Sequence, residues 1–167
     1  GTSSEADDWG AIYLVDLSFQ GSDEPTAEIL ILHDGNDWGD EGIRSPDNLD
    51  WSEDGIIYVQ EDKALSAFGL TSGRDSSIVR IDPVTGLFES VAVVANTEAD
   101  WGSLSTGRAY GLGDWEPSGV LDVARLFGLP DGSTLLLGTV QASTLTGGAV
   151  AESDLVQGGQ ILWITDE

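Results

Sequence analysis

Cysteine is absent from this 167-residue chain, and histidine and lysine occur once each, at His33 and Lys63. Without cysteine there is no disulfide, no thiolate metal site and no sulfur nucleophile, although the compartment stays open. One histidine excludes a multi-histidine zinc site, and any Ser-His-Asp triad would depend on His33 alone. Basic residues number six against 30 acidic ones, for a formal charge of −24. Such a chain repels phosphates, so nucleic acid is not an expected partner. No apolar run approaches ~18 residues, so no membrane span is expected. The opening GTSSEADDWG has neither a basic stretch nor an apolar core. It reads as a mature terminus or an internal cut, not a signal peptide.

Hydrophobic residues make up 40% of the chain, which argues against disorder. A single domain over 1–167 is expected, burying ~70% of its unfolded surface. The acid excess strains the compact state by self-repulsion. Two conditions relieve it: high salt, which screens the charges, and bound hard cations, above all calcium. Both can hold.

Helix signals are scarce, and glycine accounts for 22 residues. Short β-rich runs bounded by Gly, Asp and Pro predict an all-β fold. The expected strands are 11–19, 27–32, 55–61, 77–82, 87–95, 133–141 and 159–165. In the first, Tyr13, Val15, Leu17 and Phe19 alternate with Ile12, Leu14, Asp16 and Ser18, so the odd face is expected to be buried. Ser52-Glu53-Asp54-Gly55, Asp82-Pro83-Val84-Thr85-Gly86 and Leu129-Pro130-Asp131-Gly132 carry tight-turn chemistry. They place hairpins around Trp51/Ile56 and Asp82/Leu87. One short helix is expected near 118–128, where Val120, Val123 and Leu126-Phe127 fall at helical spacing. Ser118 would cap its start and Gly128 would stop it. Asp-Trp-Gly recurs at 8–10, 37–39 and 100–102, and Asp-Trp-Glu stands at 114–116. Recurring corners of this kind fit propeller blades or another β array, and equally a set of packing anchors. The loops 33–46, 62–76, 96–117 and 142–158 are long, which suits a functional role.

Three places carry chemistry. The loop from His33 to Glu41 holds Asp34, Asn36, Asp37, Asp40 and Glu41 among glycines. That oxygen density suits calcium without matching an EF-hand, and it equally suits a solvated acidic turn. Arg44 stands near Asp47 and Asn48, and Pro46 is expected to hold Ser45 extended. Arg44 would grip an oxyanion while Asp47 and Asn48 bind metal, or it would simply pair with Asp47 at the surface. Glu61 and Asp62 close a strand, where their side chains must point to opposite faces. Glu116 would sit at the start of the expected helix, where an acid suits the dipole. His33 reads as structural.

Five phrases occur in order: GAIYLVDLSF, IRSPDNLDWSEDGIIYVQED, SSIVRIDPVTGLFESVAVV, DWEPSGVLDVARLFG and VQASTLTGGAVAESDLVQGGQILWI. Together they resemble the C-terminal half of PhoX-like proteins, calcium-dependent alkaline phosphatases and related secreted bacterial proteins. The resemblance implies a partial β-propeller, about three blades of antiparallel hairpins. It also implies secretion to the periplasm or outside the cell, several calcium ions with iron, and hydrolysis of a phosphate ester. Asp47 and Glu61 would then be metal ligands and Arg44 a phosphate contact. The chain is shorter than such an enzyme, and Ser143 stands where relatives often show His. The chain would then be a fragment of a larger propeller, a half that needs an N-terminal half chain, or a half that completes the ring as a homo-oligomer. Three readings follow: a contributor to a metal-dependent phosphomonoesterase, a non-catalytic calcium-stabilised extracellular module, and a salt-adapted scaffold.

Overall fold

The period-two runs do form strands, and within each sheet the strands pair in sequence order. The computed structural model describes residues 7–19, 21, 24–95, 111–143, 145 and 147–165. Among these residues, nine strands make three antiparallel sheets. The first sheet is a hairpin of β1 (Ala11–Ser18) and β2 (Thr26–Asp34). The central sheet holds β3 (Pro46–Trp51), β4 (Ile57–Glu61), β5 (Ser77–Ile81) and β6 (Phe88–Val93). The third holds β7 (Trp115–Asp122), β8 (Leu135–Ala142) and β9 (Gly158–Thr165). Among the described residues, helix is confined to α1 (Gly35–Trp38), the 3₁₀ turn Gly39–Glu41 and α2 (Ala149–Glu152).

The turn residues act as their chemistry dictates. Ser52 N–H donates to Ile56 O at 2.8 Å and Gly55 N–H to Ser52 O at 3.0 Å, closing β3 onto β4. Between β5 and β6, Asp82 Oδ1 accepts from Val84 N–H at 2.8 Å, an Asx turn.

β4 is buried along its whole length, so the central sheet is covered on both faces. Ile57 and Val59 of β4, with Val79 and Ile81 of β5, turn one way and pack with Ile12, Leu32, Ile43 and Phe88. Tyr58 and Ile78 turn the other way and pack with Val120, Leu136 and Ile164. The β1–β2 hairpin and the β7–β9 sheet therefore lie on opposite faces of the central sheet. Fully buried Ile43, Val59, Ile81 and Leu136 each contribute about 1.5–3 kcal/mol of hydrophobic stabilisation.

Three expectations are corrected. No helix spans 118–128: residues up to Asp122 belong to β7, in register with β8. What remains is one turn, closed by Gly128 N–H to Arg125 O at 3.0 Å and Leu129 N–H to Ala124 O at 3.0 Å. Gly128 sits at φ +69°, so the glycine stop is real, but the segment it stops is a single turn. The strand wins because β8 supplies it with a ladder of hydrogen bonds, which helical spacing alone does not reveal. The odd face of β1 is exposed: Tyr13 is 56%, Val15 51% and Leu17 54% accessible, whereas Ile12 is 6%. Alternation identifies an apolar face; whether a neighbour covers it is a tertiary matter. Finally, Ser45 has φ +46° and is left-handed, not extended. Its N–H donates to Trp9 O at 2.7 Å and its carbonyl accepts from Asp62 N–H at 3.1 Å, which fixes the unusual turn.

Candidate functional site

The short helical segment after β2 delivers Asp40 and Arg44 to the end of β4. Arg44 is fully buried, and each of its five N–H groups has a partner. Nε donates to Glu61 Oε1 at 2.9 Å and Nη2 to Glu61 Oε2 at 2.6 Å, a two-pronged pair. Nη2 also donates to Asp75 O at 2.7 Å, and Nη1 to Arg74 O at 2.9 Å. Nη1 lies 3.4 Å from both Asp40 Oδ1 and Ser72 Oγ. The guanidinium stacks 3.8 Å over the Phe68 ring. Glu61, equally buried, accepts further from Ser77 Oγ at 2.5 Å, Ser77 N–H at 3.1 Å, Arg44 N–H at 3.0 Å and Arg74 Nη2 at 3.3 Å.

Asp40 serves the same cluster. Its Oδ1 accepts from Gly69 N–H at 2.7 Å, and its Oδ2 from Thr71 N–H at 2.7 Å and Ser72 N–H at 2.9 Å. Burial raises its pKa, but the three backbone donors and Arg44 outweigh that and hold it at about 2. His33 stacks on Trp38 with ring centroids 6.4 Å apart and meets Phe88 edge-on at 5.0 Å. Its Nε2 accepts from Ile43 N–H at 3.1 Å, which needs the neutral ring. Burial pushes its pKa down, against the pull of Asp34, Glu61 and Asp37. Gly42 is obligatory beside it: a Cβ there would lie 2.5 Å from Trp38 Cβ and 3.1 Å from His33 Nε2.

The residues singled out in the sequence thus separate. Asp40, Arg44 and Glu61 converge in one buried ion cluster. Asp34 caps α1, with Oδ1 accepting from Asn36 N–H at 3.0 Å. Asp37 is exposed on α1. Asp47 accepts from Asn48 Nδ2 at 2.9 Å on exposed β3, away from Arg44's partners. The cluster is chemically spent: its guanidinium has no N–H left for an incoming oxyanion.

A second constellation joins the end of β4 to the start of β7. Lys63 Nζ donates to Asp114 Oδ1 at 2.8 Å, and Lys63 N–H lies 3.4 Å from Glu116 Oε1. Gly111 N–H donates to Asp114 Oδ2 at 2.8 Å. Partial burial pushes the Glu116 carboxyl up to about 7, and the hydrogen-bonded, charged Asp62 carboxyl beside it adds to the shift. Nearby on the strand, Gln60 Nε2 donates to Gly119 O at 3.0 Å, while Gln60 Oε1 and Ser76 Oγ have no partner. The sequence alone gives Asp62 and Glu116 no link. They are 54 residues apart, and only the stacking of two sheets brings them together. Among the described residues no group of three or more acidic or histidine side chains is arranged to hold a metal ion.

No family model, curated protein or solved structure matches the chain.

Proposed function

We propose that the chain is a non-catalytic docking module: about three blades of an incomplete β-propeller, completed by partner sheets at both ends. The carrying observation is that both outermost sheet faces are apolar and open. On the hairpin, register aligns Tyr13 with Ile31 and Val15 with Ile29, all exposed. On the far sheet, Leu121, Leu137 and Trp163 align across the outer face beside Ile161, which is 70% accessible. Phe127 packs edge-on against Trp163 at 5.4 Å. Exposed apolar patches of this kind mark interaction surfaces.

A second copy placed head to tail sets the hairpin face of one subunit against the β9 face of the other, and two such contacts close a ring. An N-terminal half chain would cover the same faces. The phosphomonoesterase reading fares less well on geometry, because Arg44, its phosphoryl contact, has every N–H engaged within the protein.

Light scattering tests the proposal. Its expected result is a mass above the 17.6 kDa of one chain, reduced by Tyr13→Glu or Trp163→Glu. A monomer whose mass, solubility and dye binding are unchanged by both substitutions overturns it. Turnover of p-nitrophenyl phosphate at ordinary enzyme rates with calcium and iron present would instead favour the hydrolase.

A further inference from the structure

We propose that Asp62, Glu116, Gln60 and Ser76 form a site for one hard divalent cation, with calcium the best match, between the central sheet and β7. The inference is independent of how the outer sheets are covered.

Strand parity places the four side chains. Glu61 and Ser77 both turn towards Arg44, and their side chains bond at 2.5 Å. Adjacent residues of a strand alternate between faces, so Asp62 and Ser76 turn the other way. The β4–β5 ladder ends at the pair Gln60–Ile78, and Asp62 and Ser76 are the residues of the same parity just beyond it. Gln60 shares their face two residues earlier. β7 lies against that face, as the 3.0 Å bond from Gln60 Nε2 to Gly119 O shows. Glu116 reaches the same layer, with Oε1 3.4 Å from the N–H of Lys63, the residue after Asp62.

Two observations point to a ligand. Gln60 and Ser76 are both 0% accessible, yet Gln60 Oε1 and Ser76 Oγ have no hydrogen-bond partner. Buried polar atoms of native proteins are nearly always partnered, by protein, water or ion. Moreover, Lys63, whose N–H lies 3.4 Å from Glu116 Oε1, turns its Nζ ammonium to Asp114 at 2.8 Å. Two carboxylates, an amide carbonyl, a hydroxyl and added waters form the all-oxygen set that calcium takes. None of these four belongs to the acidic loop at 33–41.

Terbium(III), a luminescent calcium surrogate, is the probe, with Trp115 beside Glu116 as the sensitising indole. The titration uses the whole chain in about 0.2 M salt, which screens diffuse attraction to the acidic surface. The expected result is a saturable signal of one ion per chain, displaced by CaCl₂, and a thermal midpoint that rises with CaCl₂. Asp62→Asn and Glu116→Gln should each weaken binding by about tenfold or more, since charge count sets calcium affinity. Asp16→Asn, on the exposed hairpin, should leave it unchanged. Glu116→Gln keeps the size of the side chain and a donor towards Asp62, and near-ultraviolet dichroism checks its fold. If that variant does not fold, Asp62→Asn is judged by the same criterion. Absence of a saturable signal, or wild-type affinity in the folded variants, overturns the site and leaves a carboxyl pair that merely shares a proton.

Discussion

Arg44 and Glu61 face each other across the end of β4 as a two-pronged ion pair, at 2.9 Å and 2.6 Å, with neither side chain accessible to solvent. Taking two such charges from water is costly, and the hydrogen bonds around them offset that cost only while both remain.

Removing one partner should therefore be severe. Glu61→Ala leaves a buried guanidinium facing Ser77 and is expected to lose about 3–5 kcal/mol in urea unfolding. Arg44→Lys should also be destabilising, because an ammonium cannot reproduce the forked contact or the stacking on Phe68. A loss below about 1 kcal/mol for Glu61→Ala would show that the pair behaves like an exposed one.

Asp40 sets an acid limit. Its folded pKa of about 2 lies below its ordinary value of 3.8. The folded state thus binds fewer protons than the unfolded one in that interval, and stability falls as pH drops through it. Above pH 4 the full contribution is present, about 2 kcal/mol. Asp40→Asn should lose an amount of that order at neutral pH and show a flatter stability profile below pH 4, read by denaturation at stepped pH.

His33 acts in a higher window. Its pKa is lowered by burial, so the folded state prefers the neutral ring. Stability is fully present above the ordinary value of 6.5 and declines as pH falls through the lowered folded value. His33→Gln should remove this step from the profile, and an unaltered profile would place the titration elsewhere.

Salt separates surface from interior. Arg125 pairs with Glu53 at 2.5 Å and lies 3.8 Å and 3.6 Å from Asp54 and Asp131, all in reach of solvent. Arg125→Ala should cost no more than about 1 kcal/mol at low salt and less as salt rises. The whole chain, at −24, should nevertheless gain thermal stability with salt as its repulsions are screened. A midpoint that falls with added NaCl would refute this.

The strands were legible because alternation and turn residues are local: Gly55 and Asp82 mark hairpins wherever they fall. Residues 118–128 misled, because Val120, Val123 and Leu126-Phe127 match helical spacing while the ladder that holds the segment up to Asp122 against β8 is non-local. Strand parity at Glu61-Asp62 was readable, and the two side chains do part, one to Arg44 and the other to Glu116. What could not be read was their destination. Arg44 has an acidic neighbour at Asp47 in the sequence, yet burial selects Glu61 and Asp40, which satisfy all five of its N–H groups together with backbone carbonyls. The Asp-Trp-Gly at 100–102 lies outside the described residues.

The layering has a kinetic corollary. β4 is shielded on both faces and flanked by β3 and β5, so its amide protons can reach water only through a wide opening. Tyr13, Val15 and Leu17 of β1 and Ile29 and Ile31 of β2 are exposed, and amides of this hairpin should trade hydrogen for deuterium many times faster. In the isolated chain, molecular motion thus grows from the middle layer outwards, and exchange that slowed first along β1 and β2 on raising protein concentration would mark where another subunit settles.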